Sequence, residues 1–162
     1  MTHQTKLHDV LIQKMRAVLI NERIKEASAS GIIILGADKP VLFPGAVYGF
    51  AAILKPDDKL NLFHEATNRG LTRLNSPEEF NPIVGNLYPL YWGKDKYLGA
   101  RAYQHIYNPQ KTGSIRLSTY RELKNKEIIC ASITVESYVN AEIALKDAFP
   151  DLLKTSTQKF TT

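Results

Sequence analysis

A chain of 162 residues is long enough for about one domain with a single sizeable core. Its 44% hydrophobic and 23% charged residues are ordinary for a globular protein in water, which excludes a disordered or low-complexity class. The formal charge of +5 admits a polyanionic partner without requiring one, and no stretch approaches the length of a transmembrane helix.

The N-terminus, MTHQTKLHDVLIQKMRAVLI, lacks a basic leader followed by a sustained apolar block, so the expectation is a cytoplasmic protein without a signal peptide. Residues 6–27 carry Leu7, Leu11, Met15, Val18, Leu19 and Ile24 at helical spacing, which predicts an amphipathic helix lying on the domain. A coiled-coil or homodimer role is the alternative for it. GIIIL (31–35) predicts a short strand, ADKP a turn, and VLFPGAVYGFAAIL (41–54) a second strand region interrupted at Pro44-Gly45. Residues 55–86 are polar, hold three prolines and show weak periodicity, so they read as a long insertion; connections of this length tend to be functional loops. HEATN within it begins like a zinc-protease motif but lacks the second His. YPLYW (88–92) predicts a strand, KYLGARAYQHIY (96–107) a helix, and IRLSTYRELKN is ambiguous between the two. EIICASI (127–133) predicts a buried strand, and its Cys130, the single cysteine of the chain, reads as a small buried hydrophobe rather than a nucleophile. ITVESYVNAEIALKDAF (133–149) predicts a helix with Thr134 as N-cap and Glu136 in its first turn, ended by Pro150. No repeat or composition shift divides 1–162, so a single domain is expected.

Charge is unevenly spread. Residues 94–126 hold eight Lys or Arg against the two acids Asp95 and Glu122, a local excess larger than the net charge of the whole chain. Lys96, Lys111, Arg116, Arg121 and Lys124 are the candidate nucleic-acid contacts within it. Beside them stand Tyr48, Tyr91, Lys94, Arg101, His105 and Glu142. Phosphodiester hydrolysis needs a group that activates water, a cation against the phosphate oxygens, help for the leaving oxygen, and positioning. A carboxylate such as Glu142 can hold one Mg²⁺, Arg101 can stabilise charge on phosphorus, and a Tyr or His can act as base. The set is chemically sufficient, but chemistry alone does not select it. Taken singly, Tyr91-Trp92 is a strand pair, Arg101 and His105 a solvated helix face, and Glu142 the polar edge of a helix.

YWGKDKYLGARAYQH (91–105) resembles the central motif of the GIY-YIG nuclease family: Tyr91-Trp92-Gly93-Lys94, then Leu98, Arg101 and His105, fill its places at its spacings. Gly45-Ala46-Val47-Tyr48 matches the first motif loosely, with one residue inserted or Ala46 in the glycine's place. Glu142, followed by Pro150, matches the family's metal-binding Glu on a later helix, with Lys154 at the place of its Asn. The resemblance covers residues 43–155. It implies an α/β (α+β) domain with a small central antiparallel sheet flanked by helices, and an Mg²⁺- or Mn²⁺-dependent DNA endonuclease. Under it Tyr48 is the general base or its relay, Tyr91 orders it and the water, and Arg101 binds the scissile phosphate. His105 then assists proton transfer, Lys94 sits near the attacking water, and Glu142 carries the metal. DNA rather than RNA as partner rests on the family alone. The compact length is similar to the family's restriction enzymes, and a phage or defence nuclease fits equally. The rival expectations are a binding module of the same fold that has lost catalysis, and an unrelated α/β domain whose basic face binds a protein or small anion.

Overall fold

A computed structural model describes residues 3–26, 42–97 and 117–155, with side chains placed for 6–26, 45–94 and 117–155. The strand expected at 31–35, residues 98–107 of the helix expected over 96–107, and Arg101, His105, Lys111 and Arg116 lie outside the described residues, as does the side chain of Lys96.

Helix α1 (His3–Asn21) places Leu11, Met15 and Leu19 one turn apart, all fully buried, at about 2 kcal/mol of apolar burial each. It stops earlier than the pattern to residue 27 predicts. Arg23 takes a left-handed conformation (φ 58°), so the Ile24 N–H turns back to the Leu19 carbonyl (2.9 Å) and the Arg23 N–H to that of Ile20 (3.0 Å). This is a helix-ending motif in which a following apolar residue, here Ile24, packs back on the helix. Glu26 then bridges to Val135.

Strand β1 (Leu42–Ile53) runs through Pro44-Gly45 as one strand; a register shift lies between Leu42 and Ala46, where Gly45 has φ +127°. The stretch after it is not the long loop its weak periodicity predicts. Helix α2 (Pro56–Asn68) begins on a proline, with Asp57 and Asp58 in its first turn, where their charge suits the helix dipole. Gly70 (φ +68°) ends it, with the Leu71 N–H bonded to the Ala66 carbonyl at 2.9 Å. Only Leu62, Phe63 and Ala66 of this helix are buried, too few to stand out as a periodic face.

Strand β2 (Leu87–Tyr97) continues through Lys96 and Tyr97, which the sequence pattern assigns to a helix. The described part of the ambiguous segment, 117–125, forms two 3-10 turns, Leu117–Thr119 and Arg121–Leu123. Strand β3 (Ile128–Thr134) falls within one residue of its predicted span. The last helix, α3 (Tyr138–Ala148), starts later than 133: Thr134 is the end of β3 rather than an N-cap, and Glu136 precedes the helix, its N–H bonded to the Lys25 carbonyl.

Among the described residues the sheet has the order β2-β1-β3, with both pairings antiparallel, so the protein is a small mixed α+β fold with helices flanking an antiparallel sheet. Two apolar cores lie on its opposite faces. Val47, Ala51, Trp92, Ile129, Ala131 and Ile133 pack against α1 and against Ala141 and Leu145 of α3. Tyr48, Phe50, Ala52, Leu90 and Tyr91 pack against Leu62, Phe63 and Ala66 of α2 and against Leu117, Tyr120 and Leu123. A bulge between Phe50 and Ala51 leaves Leu90 extra on β2, so Leu90 and Tyr91 both enter the second core. Among the described residues no helix is long and apolar enough to cross a membrane.

Candidate active site

The β1–β2 register builds the site from two aromatic–glycine pairs on opposite faces. Tyr48 lies across from Gly93, and Gly49 across from Trp92. A Cβ at Gly93 would run into the Tyr48 ring tip, and one at Gly49 into the Trp92 ring. Each glycine is therefore the floor on which the neighbouring ring lies. Tyr48 is 3% exposed and Tyr91 9%; their ring centroids are 6.3 Å apart at 43°, and Phe50 stands edge-on to Tyr48 at 6.0 Å. The two motif tyrosines are thus brought together on one face. Lys94 is not with them: strand alternation puts it on the face of Trp92 and its partner Val47, and it is exposed.

The outer edge of β2 is closed by the segment after α3. The Asp151 carboxylate, 3% exposed, accepts the Trp92 backbone N–H through Oδ2 (2.9 Å), while the Trp92 indole Nε1 donates to the Phe149 carbonyl (2.8 Å). The Leu153 N–H donates to the Leu90 carbonyl (3.0 Å), and the Lys154 N–H to that of Leu71 (2.7 Å). Pro150 thus delivers Asp151 to a strand edge that would otherwise present unpaired amides. Lys154, at the family's Asn place, is exposed just beyond.

Asp151 also binds Lys146 of α3: Nζ lies 2.7 Å from Oδ2, with Arg73 Nε at 4.0 Å from Oδ1. The same Lys146 Nζ lies over the Tyr91 ring, 4.9 Å from its centroid. Burial pulls the Lys146 pKa below the usual lysine range and Arg73 adds to this, while Asp151 and, more weakly, Glu142 oppose it. Glu142 stands one helical turn before Lys146 on the same stripe of α3 and is half-buried. Helix α3 packs in the Trp92 core, so Lys146 is the side chain that carries its charge to the tyrosine face.

Lys146 and Asp151 are absent from the residues the sequence singles out. The i, i+4 spacing of Glu142 and Lys146 was the available signal for the first; nothing local marks Asp151. Of the basic candidates, Arg121 and Lys124 are exposed on and beside the second 3-10 turn, against α2, where Glu65 accepts the Arg121 and Glu122 backbone N–H groups (2.8 and 3.0 Å). Among the described residues no group of three or more His, Cys, Asp or Glu is placed to hold a metal ion. Comparison of the chain with protein-family models, with curated proteins and with solved structures finds no match in any of the three.

Proposed function

We propose that the protein is a GIY-YIG-type endonuclease that hydrolyses DNA phosphodiester bonds with Mg²⁺ or Mn²⁺. The observation that carries the reading is the pairing of the two motif strands: Tyr48 on β1 and Tyr91 on β2 share a face with ring centroids 6.3 Å apart, Tyr48 lying on the motif glycine Gly93. One further feature supports it. Glu142 lies on the helix that follows β3, in the order the family resemblance implies.

A magnesium ion that keeps most of its water needs only one or two protein carboxylates, and a half-buried Glu142 fits that demand without a cluster. When bound, the ion would offset phosphate charge and lower the proton affinity of a bound water. Tyr48 is the base or its relay, held in orientation by Phe50 and Gly93, and Tyr91 orders it. Arg101 supplies the cation against the scissile phosphate, its planar fork matching two oxygens, and His105 assists proton transfer. Lys96, Lys111, Arg116, Arg121 and Lys124 draw the DNA backbone by charge.

A binding module that has lost catalysis is the second reading. Lys154 at the Asn place and the burial of both tyrosines favour it. Plasmid DNA incubated with the protein in Mg²⁺, Mn²⁺ or EDTA separates the two. Cleavage that requires metal and disappears in Glu142→Ala, with the fold retained, is the expected result. Full cleavage in EDTA refutes the metal role; DNA binding without cleavage under every metal leaves the binding module.

A further inference from the structure

The tyrosine face and the helix carrying Glu142 belong to opposite cores, and Lys146 reaches from one to the other. Lys146 leaves α3 one turn after Glu142, places Nζ 4.9 Å from the Tyr91 ring centroid, and is held there by Asp151 at 2.7 Å. Asp151 is itself held by the backbone N–H of Trp92, the residue next to Tyr91. The resulting loop runs from α3 through Lys146 to Asp151 and to β2, and closes on the same two strand residues that begin the central motif.

We propose that Lys146 is a positioning residue that sets Tyr91, and the turn of α3 bearing Glu142, in register with each other; this rests on the nuclease reading above. The contacts are specific to a cation. The ammonium of a side chain only 18% exposed, placed over an aromatic face, is attracted by the ring quadrupole more strongly than it would be in open water. A buried carboxylate bonded to an edge amide fixes that ammonium in one direction. The burial that lowers the Lys146 pKa is opposed by Asp151 and Glu142, so its charged form is the one these groups favour. A neutral side chain of the same length would fill the space but would hold neither the ring nor the carboxylate.

The test uses full-length Lys146→Met, which keeps the stem, and Lys146→Arg, which keeps the cation and can both stack on the ring and pair with Asp151. Under metal-dependent plasmid cleavage, Lys146→Met should lower kcat by roughly 10- to 100-fold with KM and DNA affinity within about threefold of wild type, since misplacement of about 1 Å is enough for such a loss. Lys146→Arg should recover most of it. An unchanged kcat, a loss confined to KM, or equal losses in both variants that merely track melting temperature would overturn the proposal. Should Lys146→Met fail to fold because Asp151 is left unpaired, the double variant Lys146→Met/Asp151→Asn retains an acceptor for the Trp92 N–H, and its kcat is read in the same way. If wild type cuts no DNA with any metal, the nuclease reading fails and catalytic registration with it. The Lys146–Tyr91 link then stands or falls by NMR of ¹³C-tyrosine-labelled protein: the Tyr91 ring resonances should move in Lys146→Met and return in Lys146→Arg, and resonances that stay put refute it.

Discussion

Gly93→Ala tests the geometry on which the site depends. Gly93 pairs with Tyr48 across the β1–β2 ladder, and an added Cβ would sit well inside van der Waals distance of Cζ, Oη and Cε2 of the Tyr48 ring. Ordinary carbon contacts are about 3.5–4.0 Å, so the ring tip must move by about 1 Å or more. Little space receives it: Tyr48 is 3% exposed, with Phe50 at 6.0 Å and Tyr91 at 6.3 Å between centroids. Overpacking of this kind costs about 1–3 kcal/mol, which for a chain of this length lowers Tm by roughly 2–12 °C. Urea and thermal unfolding followed by circular dichroism measure it. The decisive arm is a double-mutant cycle with Tyr48→Ala: once the ring is gone, Gly93→Ala should cost no more than about 0.5 kcal/mol, leaving a coupling of about 1–3 kcal/mol. If Gly93→Ala costs the same in both backgrounds, the methyl does not meet the ring and the register is wrong. Under the nuclease reading the displaced Tyr48 should also slow cleavage by about 100-fold.

Arg101→Ala should lose roughly two or more orders of magnitude in cleavage rate while DNA affinity weakens far less, because a cation on the phosphate matters most as charge develops and the other basic residues supply most of the ground-state attraction; a variant changed only in affinity would point to the binding module. Asp151→Ala removes one partner of a buried ion pair and the acceptor of the Trp92 N–H, and should cost about 3 kcal/mol in chemical denaturation, where a loss below about 1 kcal/mol would show that the β2 edge is held by other bonds. Burial pushes the Tyr120 phenol from 10.0 up to about 12, with Glu65 assisting and Arg69 opposing. Its stabilisation is therefore complete below pH 10 and is lost as pH rises through 12, a difference of about 3 kcal/mol at full ionisation. Wild type should thus lose about 2 kcal/mol more stability than Tyr120→Phe between pH 10 and pH 12, where the window opens with the unfolded phenol half-ionised and closes with the folded one half-ionised, and parallel curves for the two proteins would refute the burial argument.

Local pattern made some elements legible and hid others. The alternating and β-branched residues of EIICASI, and the apolar turn-by-turn spacing of Leu11, Met15 and Leu19, declare β3 and α1 because a strand or helix that buries one face must repeat at that period. Helix α2 was hidden because only Leu62, Phe63 and Ala66 of its thirteen residues are buried; its start at Pro56 and its end at Gly70 were the better signals. The end of α1 at Arg23 and the late start of α3 escaped for a related reason, since each is decided by where the chain must leave to meet a neighbour: Glu26 meets Val135, and Thr134 stays in the sheet.

The sequence by itself determined the order of the chemistry-bearing residues: Tyr48 before Tyr91-Trp92-Gly93-Lys94, Glu142 afterwards, and the basic run between them. Which of them meet was decided by tertiary pairing. The β1–β2 register lays Tyr48 on Gly93 and turns Lys94 to the other face, a choice that one residue of slip would reverse. The ion pair at the β2 edge depends on Asp151 meeting the Trp92 amide across a sequence separation of 59 residues, and on α3 bringing Lys146 to both Asp151 and Tyr91. Neither the Asp151–Trp92 bond nor the Lys146–Tyr91 contact has a local signature, because a buried charge is stable only where the folded chain supplies its partner.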